Sequence, residues 1–556
     1  MKFEKNTVKE KSRITRSVAM LMATMMLFTS CIQANTSGQT KTESSEETEE
    51  TFSSAVEETS SSDAEETSSF DAEETSSPVS EEQKALTTLC VETGYYYDYY
   101  WSETSERTIA SVKYPYIHLS ESDREKYPKL EQAITALTQE RKENALRLYE
   151  EAVQAAEEAT AEYSDYQPFF EVQETVTVRR ADSQVFSLLL EGSANTGEPF
   201  EYQYSLGVVF DTETGERLEL TDVATHEGLL IDCVEEQLYD CWDTAYLYED
   251  LNLQKFFSNN LDSVSWVLDY YGLSVYFQPG DIAPYASGIL NITIPFSLHQ
   301  DLIKEEYREV PISYGIEFTT DKPFFFDVDG DGKTDSITVS PAKGEYVNQS
   351  ITLNGKTFEE DTGFYVIEPV LMHTADEKNY LYLSIYLDDF WMFEVFDLSS
   401  GTVRKIDTVY SERHSIIDYN RDYYARQVLT DASNFMLDTY TLMLGTACGY
   451  DSYHVGTDGL PVQKHNWYVI SFETELTLLK NLTASVVDED GKTTEDTTEL
   501  KAGDKVLYYR TDGETWADLR LSDGSIVRVY PQNDDGEWTL NGIYLEEVFE
   551  GIVFGR

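Results

Sequence analysis

Cysteine is scarce in this chain: there are five in 556 residues, and no two stand in a CxxC pair. That usage excludes a disulfide framework and gives no zinc-binding spacing. Cys233 and Cys241 fall within one predicted helix, where about 12 Å would separate them, too far for a bond. With Cys90 and Cys448 they read as isolated buried thiols. Histidine is equally sparse, and His118, His226, His299, His373, His414, His454 and His465 form neither HExxH nor HxxxH. A GxSxG elbow and a P-loop are also missing, so no catalytic motif is present. Basic residues number 41 against 103 acidic ones, a formal net charge of −62. Such a field repels nucleic acid and bare anionic membrane, and favours cations and cationic partners. Long apolar runs are lacking too: Val18 to Phe28 is the longest, and a spanning helix needs about 20 residues.

What is present begins with an export signal. Lys2, Lys5, Lys9, Lys11, Arg13 and Arg16 precede the apolar run, which ends in Leu27-Phe28-Thr29-Ser30-Cys31. This end resembles a bacterial lipobox, with Phe28 where the pattern prefers leucine. The resemblance implies that residues 1–31 are a lipoprotein signal peptide and that Cys31 becomes the lipid-bearing N-terminus, anchored to the outer face of the cell membrane. Residues 32–85 are an acidic Ser/Thr/Glu linker in which DAEETSS occurs twice. It cannot bury enough surface to offset chain entropy, and as a flexible chain it spans about 40 Å. The ends carry about +4 (1–31) and about −13 (32–85), which leaves roughly −53 for the rest.

Folded sequence begins near Leu86. Leu89 to Trp101 is aromatic-dense and Ile109 to Leu119 reads as a strand, and aromatic residues of this kind are expected mostly in the core. A helix follows from about Ser122 to Ser164, its apolar stripe formed by Leu130, Ile134, Leu137, Leu146, Tyr149, Val153 and Ala156. Strands over Phe169–Arg179 and Val185–Leu190, a turn at Asp211–Gly215 and a helix around Gly228–Asp240 complete an α+β unit, an antiparallel sheet packed by helices. After Ile312 the pattern is all-β, with strands at Ser336–Val339, Ser350–Leu353, Tyr365–Leu371, Tyr380–Tyr386, Met392–Phe396 and Tyr468–Phe472. The last segment has DG turns at short intervals, suggesting an SH3-like barrel.

The stretch Trp266 to Phe296, WVLDYYGLSVYFQPGDIAPYASGILNITIPF, organises the middle of the chain. It reads as two strands joined by a connection stiffened by Pro279 and Pro284, with Gly280 and Gly288 supplying positive φ. The run YFQPGDIAPYASG resembles the extracytoplasmic domain of RsiV-type anti-sigma factors, as does YSLGVVFDTETGERLELTDV (Tyr204 to Val223). The strand, Tyr-Pro turn and helix before it resemble the N-terminal domain of PdaC-type peptidoglycan deacetylases, whose catalytic domain has no counterpart here. The whole is similar to surface lipoproteins of Firmicutes. The resulting division is 86–200 PdaC-type α+β domain, 201–317 RsiV-like domain, 318–475 calcium-loop β domain and 476–556 small SH3-like domain. Tyr276, Pro284 and Tyr285 are the candidate binding residues.

Asp327, Asp329, Asp331 and Asp335 stand at positions 1, 3, 5 and 9 of the loop DVDGDGKTD, with the Lys333 carbonyl at position 7. A hard cation wants such an all-oxygen shell, so the loop is expected to hold structural calcium. It resembles the calcium loops of FG-GAP and related β-propeller repeats. Thr338 at position 12 departs from an EF-hand. Together these features imply a non-enzymatic, lipid-anchored, extracytoplasmic protein of a Gram-positive cell that binds an extracellular partner. RsiV-type ectodomains are receptors for lysozyme, a basic protein, so lysozyme or a cell-wall polymer is the expected class. The alternative is an envelope hydrolase or deacetylase accessory acting on peptidoglycan.

Overall fold

The tyrosine-rich start forms β1 (Val91–Ser102), paired along its length with β2 (Arg107–Leu119). The structure, a computed structural model, describes residues 85–162, 169–197, 201–261, 264–342, 348–360, 367–387, 390–418, 423–488, 491–534 and 536–554. The signal, Cys31 and nearly all of the linker lie outside them. Residues 85 to 556 group as one unit.

The expected long helix is two. α1 (Glu121–Lys126) ends at Tyr127, and α2 (Pro128–Glu162) starts afresh. Pro128 has no N–H to give the preceding turn and fits the first helical position, which explains the break. Leu130, Ile134, Leu137 and Ala156 are buried as expected, but between Leu137 and Ala156 the buried positions are Arg141, Ala145 and Ala152. Alanine lets the helix lie close on the sheet, and Leu146 and Tyr149 flank the contact, packed against the same cluster. α2 is a crossover, because β3 (Phe170–Ala181) runs parallel to β2. The sheet is therefore mixed, not purely antiparallel. β4 (Val185–Ala194) and β5 (Tyr202–Asp211) extend it antiparallel. The chain turns after Asp211 with Gly215 at φ +67°. Beyond the turn there is one bridge, Phe210 to Arg217, before a helical turn at Leu220–Val223.

α3 (Glu227–Cys241) and α4 (Leu253–Asn260) lead to a three-stranded sheet, β6 (Ser265–Leu268), β7 (Gly272–Phe277) and β8 (Leu290–Pro295). β7 and β8 pair directly, so the two strands of the central stretch are neighbours. Leu273, Val275, Phe277, Leu290, Ile292 and Ile294 share a core with α3 and α4. The other face carries Ser274, Asn291 and Thr293, also buried. The Ser274 and Thr293 hydroxyls lie 2.8 Å apart, and the Asn291 amide donates to the Pro323 carbonyl.

The rest is β. After β9 (Tyr314–Glu317), β10 (Phe324–Phe326), β11 (Asp335–Ser340), β12 (Gln349–Leu353) and β13 (Lys356–Glu360) form one meander. A second comprises β14 (Ile367–His373), β15 (Asn379–Leu387), β16 (Phe390–Asp397) and β17 (Arg404–Val409), with β9 on its edge. Their inner faces share a core that includes Phe324, Phe326, Val328, Ile337, Leu371, Leu381 and Phe396. β18 (Glu412–Arg413) begins the largest sheet, while β19 (Ser415–Asp418) and β20 (Tyr423–Gln427) return to β1 at Glu92 and Thr93.

β21 (Phe435–Thr441), β22 (Ala447–Val455) and β24 (Tyr468–Leu478), with β23 (Pro461–Gln463) beside β22, continue that sheet. They are joined by β25 (Leu482–Val487), β26 (Thr493–Leu500), β27 (Lys505–Thr511), β28 (Ala517–Arg520) and β29 (Ile526–Val529). Here the expected SH3-like barrel is corrected. The strand order is open, because β24 is long enough to pair β22 through Val469 and Ile470 and β27 through Thr474 to Thr477, carrying the ladder through. The division at 475/476 falls inside β24, and the one at 200/201 falls between the paired strands β4 and β5.

Candidate functional site

The acidic loop is the connection between β10 and β11, where Phe326 pairs with Asp335. It is pinned from within: Val328 is fully buried, and its carbonyl accepts from the Asn379 amide at 2.8 Å. Gly330 (φ +72°) and Gly332 (φ +83°) make the sharp bends. Their N–H groups donate to the two oxygens of Asp327, at 2.8 and 2.9 Å. Asp335 accepts from the Val328 N–H at 2.9 Å and from the Asn354 amide at 2.5 Å. Thr334 lies 3.0 Å from the Tyr271 hydroxyl, which ties the loop to the β6–β7 turn.

Of the expected ligands, Asp327, Asp329 and Asp335 each offer an oxygen within 4.8 Å of the others. Asp331 does not join them, since its carboxylate turns outward to the Lys333 ammonium at 2.7 Å. Burial raises the Asp335 carboxyl above the ordinary range, and the neighbouring Asp329 and Asp327 add to the rise. Three carboxylates so placed repel one another, and a hard divalent cation among them would remove that repulsion.

Tyr276, Pro284 and Tyr285 do not form one site. Tyr276 is a core residue of β7, packed with Leu189 and Val267, and burial pushes its hydroxyl up to about 12. Pro284 and Tyr285 lie at the surface, where the Tyr285 hydroxyl donates to the Glu201 carbonyl at 2.7 Å. The turn serves as a latch: both amide atoms of Gln278 bond the Ser205 backbone, at 2.8 and 3.0 Å.

The exposed aromatic residues lie elsewhere. Tyr96, Tyr97, Tyr99 and Trp101 of β1 are 39–51% exposed, against the expectation that this strand's aromatics belong to the core. β20 pairs with β1 at Glu92 and Thr93, and its Tyr424 carbonyl lies against Gly94; beyond that point the side chains of Tyr96, Tyr97, Tyr99 and Trp101 reach solvent. Lys113 lies over the Tyr95 ring at 4.1 Å, and Arg426 lies over Trp391 at 3.7 Å.

One buried polar cluster has no spacing in sequence that reveals it. Strands β18, β21 and β22 bring Glu412, Asp438 and Cys448 within reach of one point, with His414 Nδ1 2.7 Å from Asp438. Burial, with Asp438 beside it, pushes Glu412 up to about 7. Burial raises the Cys448 thiol above its ordinary range and Asp438 adds to the rise, which disfavours the thiolate.

Residues 232–297, from α3 through β8, match the family model described as "Protein of unknown function (DUF3298)". They form a DUF3298 domain, a kind found in RsiV- and PdaC-type surface proteins. No curated protein matches the chain. Among solved structures, a member of the DUF3298 family from Bacteroides fragilis NCTC 9343 is similar at 14% identity and TM-score 0.30, covering 40% of this chain and 98% of its own. A DUF3298 family protein from Pseudomonas aeruginosa PAO1 is similar at 14% identity and TM-score 0.29, with the same coverage.

Proposed function

We propose that this chain is a lipid-anchored surface protein whose RsiV-like and PdaC-like α+β unit binds a basic extracellular protein such as lysozyme, without catalysis. The observation that carries the reading is the uncovered aromatic end of β1 on a chain of net charge −62. Tyrosine and tryptophan supply large contact area at low entropic cost, and a partner of opposite charge is steered towards them. Cys31 carries the lipid anchor in this reading, and the acidic linker holds the folded part away from the membrane. Calcium in the DVDGDGKTD loop, bound by the Asp327, Asp329 and Asp335 carboxylates, is structural: it braces the β10–β11 connection, an arrangement similar to FG-GAP loops.

The test is surface plasmon resonance of the full chain against lysozyme, from about 0.05 to about 0.5 M salt. Saturable binding that weakens steeply with salt and falls in Tyr97→Ala/Trp101→Ala supports the proposal. Absent binding, or binding indifferent to salt and to those substitutions, rejects it. Turnover of peptidoglycan by the purified chain would favour an envelope enzyme instead.

A further inference from the structure

One cleft departs from the chain's acidity. It measures about 630 Å³ and opens between α2 and β5, lined by Arg141, Asn144 and Arg147 on one side and Tyr202 and Tyr204 on the other, with Gln278 also on its wall. Among the described residues, two arginines and no aspartate or glutamate line it, in a chain with 103 acidic and 41 basic residues. The volume is that of a small-molecule site.

The two guanidinium groups differ. Arg141 is held from behind by the buried Glu174, which takes its Nε at 3.0–3.1 Å and a terminal nitrogen at 2.6 Å, while Tyr204 accepts at 3.0 Å. It is a fixed part of the wall. Arg147 is more than half exposed and pairs at 2.7 Å with the equally exposed Glu151. Arg147 also donates to the side-chain oxygen of Asn144, another lining residue, at 3.0 Å; the exposed pair with Glu151 contributes little, so Glu151 can be exchanged for a ligand carboxylate. Tyr202 is 55% exposed, with its ring centroid 5.5 Å from that of Tyr204. The Gln278 latch on Ser205 braces the end of the cleft before any ligand arrives.

An exposed aromatic ring beside an available guanidinium and a side-chain amide suits a polyhydroxylated ring that carries a carboxylate. The ring lies on tyrosine, the hydroxyls meet the Asn144 side-chain amide, and the carboxylate takes the arginine fork. We infer that this cleft binds carboxylated sugars. The site is separate from the β1 surface, and either reading can fail without the other.

Ligand-observed NMR titration of the full chain with D-glucuronate, D-glucose and acetate tests it. D-Glucuronate is expected to bind about tenfold or more tightly than either comparison, since only it has both ring and charge. Arg147→Gln and Tyr202→Ala, both at exposed positions, are each expected to weaken it about tenfold while the thermal midpoint stays unchanged. No saturation transfer from D-glucuronate up to about 20 mM, equal binding of D-glucose, or unchanged affinity in either variant overturns the inference.

Discussion

Arg179 of β3 places a guanidinium nitrogen 2.8 Å from a carboxylate oxygen of Asp269, and both side chains are buried. Asp269 is fully used. The same oxygen accepts from the Ser274 hydroxyl at 3.1 Å, and the other accepts from the N–H groups of Tyr271 and Gly272 at 2.9 and 2.8 Å. One carboxylate thus shapes the β6–β7 turn and ties it to the neighbouring sheet. The next residue after Arg179, Arg180, is buried as well, bonding Asp182 and the Tyr307 and Glu309 carbonyls. A register shift between Val178 and Arg180 in the pairing with β4 interrupts strict alternation, which allows two successive arginines to be buried.

Removing one partner of such a pair leaves an uncompensated charge. Asp269→Asn is therefore expected to lower stability by about 3–5 kcal/mol, read from urea unfolding of the full chain. A loss under about 1 kcal/mol would mean that water reaches Arg179, contrary to its burial.

Backbone contact makes a second point of attachment. A Cβ on Gly207 of β5 would lie 1.8 Å from the Trp266 carbonyl oxygen of β6, whereas one on Gly228 of α3 would meet nothing within 4 Å. Gly207→Ala must push β6 away from β5 and is expected to cost about 2–4 kcal/mol, while Gly228→Ala is neutral or stabilises by up to about 1 kcal/mol. Comparing the two thermal midpoints checks this. Equal effects would show that the strands separate without penalty.

Local signals were legible in the sequence, and distant pairings were not. The pairing of β7 with β8 followed from alternation and from the Pro/Gly connection, and Leu130, Ile134 and Leu137 marked the buried face of α2 correctly. Past Arg141 the fully buried positions are Ala145, Ala152 and Ala156, with Leu146 and Tyr149 only partly buried at their side, so hydrophobicity alone misplaces part of the stripe. The aromatics of β1 read as core because composition cannot say that β20, more than 300 residues later, pairs with β1 at Glu92 and Thr93 and not along the aromatic stretch. The chain does bend at Asp512-Gly513 and turn at Asp523-Gly524, yet turns do not fix closure; β24, running through the expected boundary, shows the sheet to be open. Convergence of Asp327, Asp329 and Asp335 was visible as spacing, while the outward turn of Asp331 depends on where Lys333 points.

That difference separates the loop's carboxylates in a calcium experiment. Calcium is expected to raise the thermal midpoint, by the equivalent of about 2.7 kcal/mol at a hundredfold excess over Kd. Asp327→Asn, Asp329→Asn and Asp335→Asn should each remove most of the shift, and Asp331→Asn should keep most of it, because its carboxylate is engaged with Lys333. Differential scanning calorimetry with calcium and with chelator reads all four. Identical curves for the unaltered chain would dispose of the calcium proposal, and loss in Asp331→Asn would show that the loop rearranges around the ion.

Glu412 gives a pH dependence whose sign can be worked out. Burial and Asp438 lift its carboxyl from an ordinary 4.5 to about 7, against the pull of Arg426 and His414 and the hydrogen bond from Tyr440. The folded state therefore holds this proton more tightly than the unfolded chain. The contribution is fully stabilising below about pH 4.5 and is lost as pH rises through about 7, with a span of about 3 kcal/mol. Other buried acids titrate over part of this range, so the comparison must be with Glu412→Gln, which keeps an acceptor for Tyr440 and cannot ionise. The variant is expected to lose less stability than the unaltered chain between pH 5 and pH 8, with the two urea-unfolding curves diverging above pH 5. Parallel curves across that interval would mean that Glu412 ionises without cost in the folded chain, and that the cluster with Asp438 and Cys448 is wetter than its burial implies.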